Sequence, residues 1–279
     1  MADYIVNISD LDCLALVDDV FETLYQKNCE RLSSKQGTQY FLNKKLPEIV
    51  FNLCKVFKLA PEARYFAVEL FNAFANKYIQ CFSKRKDKMI VFCSKSALYI
   101  LVCIQISSKM SSHYKSISQR SIINQMNQAN GQRRVTKSDI ITTELEILQM
   151  VNYDLNFLLP LDVIDVLLYY IQKYLEEEKP EALPNCSKLK ETCSTILELV
   201  YLRQYFILSQ FYGSSDRFVC DQMLLSVAVI SVAIFVVEDD LSDFIAKFLA
   251  TKCRIDRDDI LKLSCVIIEH VTKAKSGEI

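Results

Sequence analysis

Ala97-Leu98-Tyr99-Ile100-Leu101-Val102-Cys103-Ile104, set within a helical stretch from about Ser94 to Met110, offers no polar face. A helix of that composition has to be enclosed by other elements. A second run of the same kind, Met223 to Val237, is apolar but for Ser226 and Ser231 and is bracketed by Asp221, Glu238, Asp239 and Asp240. It falls short of the ~18 to 20 residues that cross a bilayer, so it reads as another buried core helix, and no membrane association is expected.

Amphipathic patterns surround both runs. Leu14, Val17, Phe21, Leu24 and Tyr25 recur at spacings of three or four, which predicts a helix over about 10–34, begun by Ser9 or Asp10 and ended by Gly37. A helix from Pro47 to Phe57 and another from Pro61 to Tyr78 follow, the latter closed by the charged loop Lys84-Arg85-Lys86-Asp87-Lys88. Beyond the first apolar run come a short helix around Ile122 to Met126, a turn at Asn130-Gly131, and a helix opened by Thr136 with Asp139 and stopped by Pro160. The second half repeats the scheme over about 161–177, 188–210, 216–237, 241–252 and 257–273. Only four Gly and five Pro in 279 residues leave little material for the turns of a β-rich fold. The expected architecture is therefore all-α. Two five-helix units, over 40–158 and 159–279, each wrap four helices around a central one and follow an N-terminal accessory helix within 1–39.

With 51% apolar residues and a mean hydropathy of +0.13, the chain can bury a large core. Its formal charge of −1 gives no field that would gather a polyanion. Direct nucleic-acid binding is thus not expected. The eleven cysteines include no C-x-x-C, and Cys54, Cys103 and Cys265 fall in apolar helical runs as small hydrophobes. They are expected to be reduced thiols of an intracellular protein. Met1-Ala2-Asp3-Tyr4 lacks the pattern of a secretory signal. His113 and His270 belong to no H-E-x-x-H and read as surface or capping residues, and the four isolated glycines form no phosphate loop. No catalytic residue, metal or cofactor is expected. The basic run Lys84 to Lys88 reads as a solvated loop, with a nuclear-import or phosphate-binding patch as its alternative.

Glu144 shares a helical stripe with Ile140, Ile147, Leu148 and Val151, and a carboxylate within or beside an apolar face calls for compensation. Lys109 is the candidate partner. It closes the central helix, where the dipole favours a cation and where Ser107 and Ser108 leave room for another chain. The residues alone leave open whether Lys109 and Glu144 meet a partner, pair with each other or stand as separate surface charges. Between Leu199 and Tyr212, the residues Tyr201, Tyr205, Phe206, Phe211 and Tyr212 are more aromatics than one buried face readily takes. They mark a possible partner surface as well as a core helix.

Two segments carry a family resemblance. Cys103-Ile104-Gln105-Ile106-Ser107-Ser108-Lys109-Met110 resembles the end of the third helix of a cyclin box, with its small-small-Lys ending. Glu144, Leu148, then Asn152-Tyr153-Asp154-Leu155-Asn156 and Pro160 resemble the fifth helix and its exit. The resemblance covers most of residues 40–272 and implies tandem cyclin folds in a non-catalytic protein. It further implies that Lys109 and Glu144, with Leu148, Tyr153 and Leu155 as an apolar floor, hold the regulatory helix of a cyclin-dependent kinase.

Pro47-Glu48-Ile49-Val50, Ala67-Val68-Glu69-Leu70, Leu197 to Leu202 and Met223 to Ala228 resemble a branch of the cyclins that promotes meiotic crossover formation. That implies meiotic recombination proteins as further partners, a scaffold role and a nuclear location. Leu46-Pro47-Glu48-Ile49-Val50 departs from the Met-Arg-x-Ile-Leu of substrate-recruiting cyclins, and the lost Arg speaks against substrate docking there. The alternative is a nucleic-acid-binding cyclin-fold factor of the transcription factor IIB type, which requires a basic face.

Overall fold

Helices account for the regular structure of the described residues, and no strand occurs among them. The computed structural model describes residues 10–33, 45–111, 116–129, 135–182, 185–213 and 220–276. In chain order the α-helices are α1 (Asp10–Ser33), α2 (Leu46–Val56), α3 (Pro61–Phe82), α4 (Lys86–Ser111), α5 (Gln119–Ala129) and α6 (Lys137–Met150). They continue as α7 (Pro160–Glu178), α8 (Cys186–Leu202), α9 (Gln204–Tyr212), α10 (Gln222–Val237), α11 (Ser242–Cys253) and α12 (Arg257–Ser276). Pro47, Pro61 and Pro160 each lie in the first turn of a helix, where a missing N–H costs nothing.

The chain divides into two compact units, one drawn from Thr38–Phe157 and Tyr201–Val219. Here α4 is the axis, touching α2, α3, α5 and α6. Tyr99, Val102, Cys103 and Ile104 are fully or almost fully buried, as the absence of a polar face demands. By length and composition α4 could cross a membrane, and half of its apolar window is buried against these neighbours, with Ile90, Val91 and Met110 left exposed. Phe74, Tyr78, Phe92 and Tyr99 form a ring cluster between α3 and α4, with centroids 4.8–6.4 Å apart. Such pairs add to the burial of their large apolar area.

The other unit comprises Met1–Gly37, Leu158–Val200 and Cys220–Ile279. Its axis is α10, which touches α1, α7, α11 and α12. Asp221 caps α10 by accepting from the Leu224 N–H at 2.9 Å, and it also accepts from Asn28 of α1 at 2.9 Å. Asp18 of α1 accepts a short hydrogen bond from the Tyr170 hydroxyl and lies near Lys252. The Tyr170 bond, and then Lys252, hold its carboxyl below the usual range.

These units follow a different division from the linear one. The N-terminal helix groups with the second half, and residues 201–219 group with the first. The reason for the second regrouping is Tyr201, which is fully buried 4.8 Å from the Tyr65 ring and 6.2 Å from that of Phe51. Its hydroxyl donates to the buried Glu69 at 3.2 Å.

Other boundaries also move. The helix expected over 188–210 breaks at Arg203 (φ −109°, ψ 12°) into α8 and α9, so the described residues from Pro160 to Ser276 hold six α-helices where five are expected. No Gly or Pro marks that break. α4 starts at Lys86 rather than near Ser94, with Asp87 in its first turn bound to Arg85 at 2.9 Å. α6 ends ten residues before Pro160, which instead opens α7. Cys265 is exposed because it lies out of phase with the buried Leu263 and Ile267, whereas Cys54 and Cys103 are buried. His270 is buried on α12 rather than at the surface. Ser9, Gly37, His113 and Asn130-Gly131 lie outside the described residues.

Candidate partner-binding site

The C-terminal end of α4 is fixed by side-chain hydrogen bonds. Ser107 donates to the Ala63 carbonyl, tying α4 to the start of α3. Ser108 donates to the Gln105 carbonyl at 2.7 Å and accepts from the Ile117 N–H at 3.0 Å, while Gln105 donates to the Ile117 carbonyl at 3.1 Å. Both backbone groups of buried Ile117 are thereby satisfied. The two serines are thus internal fasteners rather than room for a second chain, since both are enclosed.

α6 is aimed by its own start. Thr136 accepts from the Asp139 N–H at 3.2 Å, and the Asp139 carboxylate accepts from the Thr136 N–H at 2.9 Å, closing a capping box. Ile140, Thr143 and Ile147 face inward, which puts Glu144 at the rim of the buried stripe. The structure brings Lys109 and Glu144 together, with Nζ 2.5 Å from Oε1 and the side chains 44% and 21% exposed. Nearby on the same two helices Tyr99, whose hydroxyl lies 3.1 Å from both Glu146 oxygens, is held far above the usual tyrosine pKa, chiefly by burial and then by the Glu146 charge.

Leu148 and Leu155 are half-buried, while Tyr153 is 60% exposed. The turn after α6 places Asn152 and Tyr153 in succession in the left-handed region, at φ 57° and 58°. That conformation is uncommon for a bulky residue and is held here by bonds from the Asn152, Tyr153 and Asp154 N–H groups to the last turn of α6 and to Val151. It turns the tyrosine ring out to solvent.

Sequence periodicity missed three members of this surface. Met110, Ile141 and Leu145 are 46–53% exposed, and none of them stands out by its spacing. The α6 pattern is apolar on more than one face, and spacing alone does not say which face is inside. Met110 and Leu145 adjoin Lys109 and Glu144 in sequence and Ile141 lies one turn before Glu144, so exposed apolar side chains accompany the ion pair. Among the described residues no group of His, Cys, Asp or Glu could hold a metal ion.

The aromatics of 199–212 divide. Tyr201 is core, for the reason already given, and does not belong to a partner surface. Phe206 is exposed, and Tyr205, Phe211 and Tyr212 are half-exposed. Tyr205 packs on Phe206 and Phe211 on Tyr212, each edge to face.

Residues 19–156, which hold α4, its neighbours α2, α3, α5 and α6 and the Lys109–Glu144 pair, match the family model of the cyclin N-terminal domain. That region, a little under half of the chain, is thereby identified as a cyclin N-terminal domain. It is similar to cyclin N-terminal domain-containing protein 1 of Mus musculus, at 25% identity over 98% of this chain and 89% of that protein. It is also similar to the Homo sapiens protein of the same name, at 24% identity over 91% of this chain and 84% of that one.

Proposed function

We propose that this chain is a non-catalytic cyclin-like protein that binds a cyclin-dependent kinase through the end of α4 and the outer face of α6. It would promote meiotic crossover formation in the nucleus as kinase partner, scaffold for recombination proteins, or both. The observation that carries the kinase reading is the Lys109–Glu144 pair set among Met110, Ile141, Leu145 and Tyr153. A cation and a carboxylate on one rim can bind backbone carbonyls and N–H groups at the two ends of a kinase segment, while the apolar residues are dried by the same contact. Such a partner acts by binding one kinase conformation better than the other, and supplies no chemistry of its own. The meiotic and nuclear parts rest on the short segments that resemble the crossover branch of the family.

The test is a titration of a purified cyclin-dependent kinase with wild-type protein and with Lys109→Ala, Glu144→Ala, Leu145→Ser and Tyr153→Ala. Circular dichroism shows that each variant is folded. Loss of one charge from a desolvated pair is expected to cost ~2–5 kcal/mol of binding. Equal affinity across folded variants, or no affinity in the wild type, would mean that the cyclin scaffold persists without the cyclin interface. For the nuclear and meiotic reading, a pull-down from germline nuclei should recover a kinase together with recombination proteins.

A further inference from the structure

A second surface lies on α9 and the residue that precedes it. The stretch 199–213 holds a single charged side chain, Arg203. Gln204, Ile207 and Leu208 are buried and anchor α9, and they leave Leu202 and Phe206 37% and 40% exposed on the outer side. Tyr205, Phe211 and Tyr212 are half-exposed beside them.

Arg203 occupies the break between α8 and α9, next to Leu202 and three residues before Phe206, and it enters no ion pair among the described residues. Most other cations that pair on this protein do so at the surface, as Lys190 does with Asp165 and Lys247 with Asp243. Here a guanidinium is borne by a stretch of aromatic and aliphatic residues, 199–213, that has no carboxylate of its own, the flanking acidic residue on α8 being Glu198. Arg, Tyr and Phe are the residues enriched at the centres of protein interfaces, and the guanidinium fork suits a carboxylate in two parallel hydrogen bonds. One cation is too few for a nucleic-acid backbone, whose binding scales with the number of phosphates neutralised.

We propose that this patch docks an acidic amphipathic segment of a partner protein, with apolar side chains against Leu202 and Phe206 and an Asp or Glu on Arg203. The patch lies on other helices than the Lys109–Glu144 pair, and the proposal does not depend on kinase binding. The experiment is selection of a displayed library of 15-residue peptides on the full-length protein, followed by fluorescence-anisotropy titration of the enriched peptides. Enriched sequences should carry an Asp or Glu beside bulky apolar residues. Arg203→Glu and Phe206→Ser should each weaken their binding tenfold or more, with folding checked by circular dichroism. Val236→Ser, at an exposed apolar position in the other unit, should bind like wild type. The proposal is overturned by no enrichment, by enriched peptides lacking an acidic residue, or by affinity indifferent to Arg203→Glu. A concentration-dependent dimer abolished by Phe206→Ser would also overturn it, since the occupant would then be a second copy of this chain.

Discussion

Tyr201 and Lys109 are both polar-ended side chains of one compact unit, and burial gives them opposite roles. Tyr201 is enclosed with Phe51 and Tyr65 and donates to buried Glu69, so its hydroxyl contributes to folding. Tyr201→Phe should lower the unfolding free energy of its unit by ~1–3 kcal/mol, because the carboxylate loses a donor in a dry site. Tyr201→Ala should cost ~3–5 kcal/mol through the cavity as well. Urea unfolding followed by circular dichroism measures both, since the chain has no Trp. Lys109→Ala, by contrast, should shift stability by under ~1 kcal/mol, as expected of a pair with one partner nearly half exposed. The sequence singles out Glu144 because a charge on an apolar stripe is visible by spacing, and it leaves open the pairing with Lys109 that the structure supplies. It does not disclose Tyr201, since a stretch with five aromatics leaves open which of them the core accepts.

At the scale of the element, α4 and α10 were legible from composition alone: a helix without a polar face has one place to go. Helix ends were less so. The break at Arg203 has no Gly or Pro to announce it, and α4 begins within a run of charges that periodicity assigns to a loop. The exit of α6 depends on two left-handed residues, Asn152 and Tyr153, neither of them glycine. The end of α4 is instead fixed by Ser108, whose hydroxyl is the acceptor for the buried Ile117 N–H. Ser108→Ala leaves that donor unsatisfied and should destabilise the unit by ~1–3 kcal/mol. Amide exchange at Ile117 should quicken more than that at Ile104, in the middle of the same helix. Equal protection at both amides in the variant would show that Gln105 alone holds the segment.

Across the whole molecule, the buried thiols link stability to alkaline pH. Burial raises Cys193 and Cys253, in one unit, and Cys54, in the other, each to about 12. In the unfolded chain a thiol ionises near pH ~8.5, so the folded state is the one that keeps its protons as pH rises. The stability these thiols support is complete below that value and is lost progressively up to the folded value of about 12. Each thiol contributes a slope of at most about 1 kcal/mol per pH unit, and two in one unit about twice that. The unit containing Cys193 and Cys253 should therefore lose stability from about pH 9 upward, and Cys193→Ala should roughly halve its slope up to about pH 10, above which Tyr170, also raised by burial, adds its own slope. Exposed Cys81, Cys93, Cys186 and Cys265 supply an internal reference. In a thiol-labelling time course read by mass spectrometry, these four should react first, and Cys193 and Cys253 should react only as fast as their unit opens. Labelling of Cys193 at the rate of Cys186 in folded protein at pH 8 would mean that the core around α8 admits solvent, and the alkaline slope would then vanish with it.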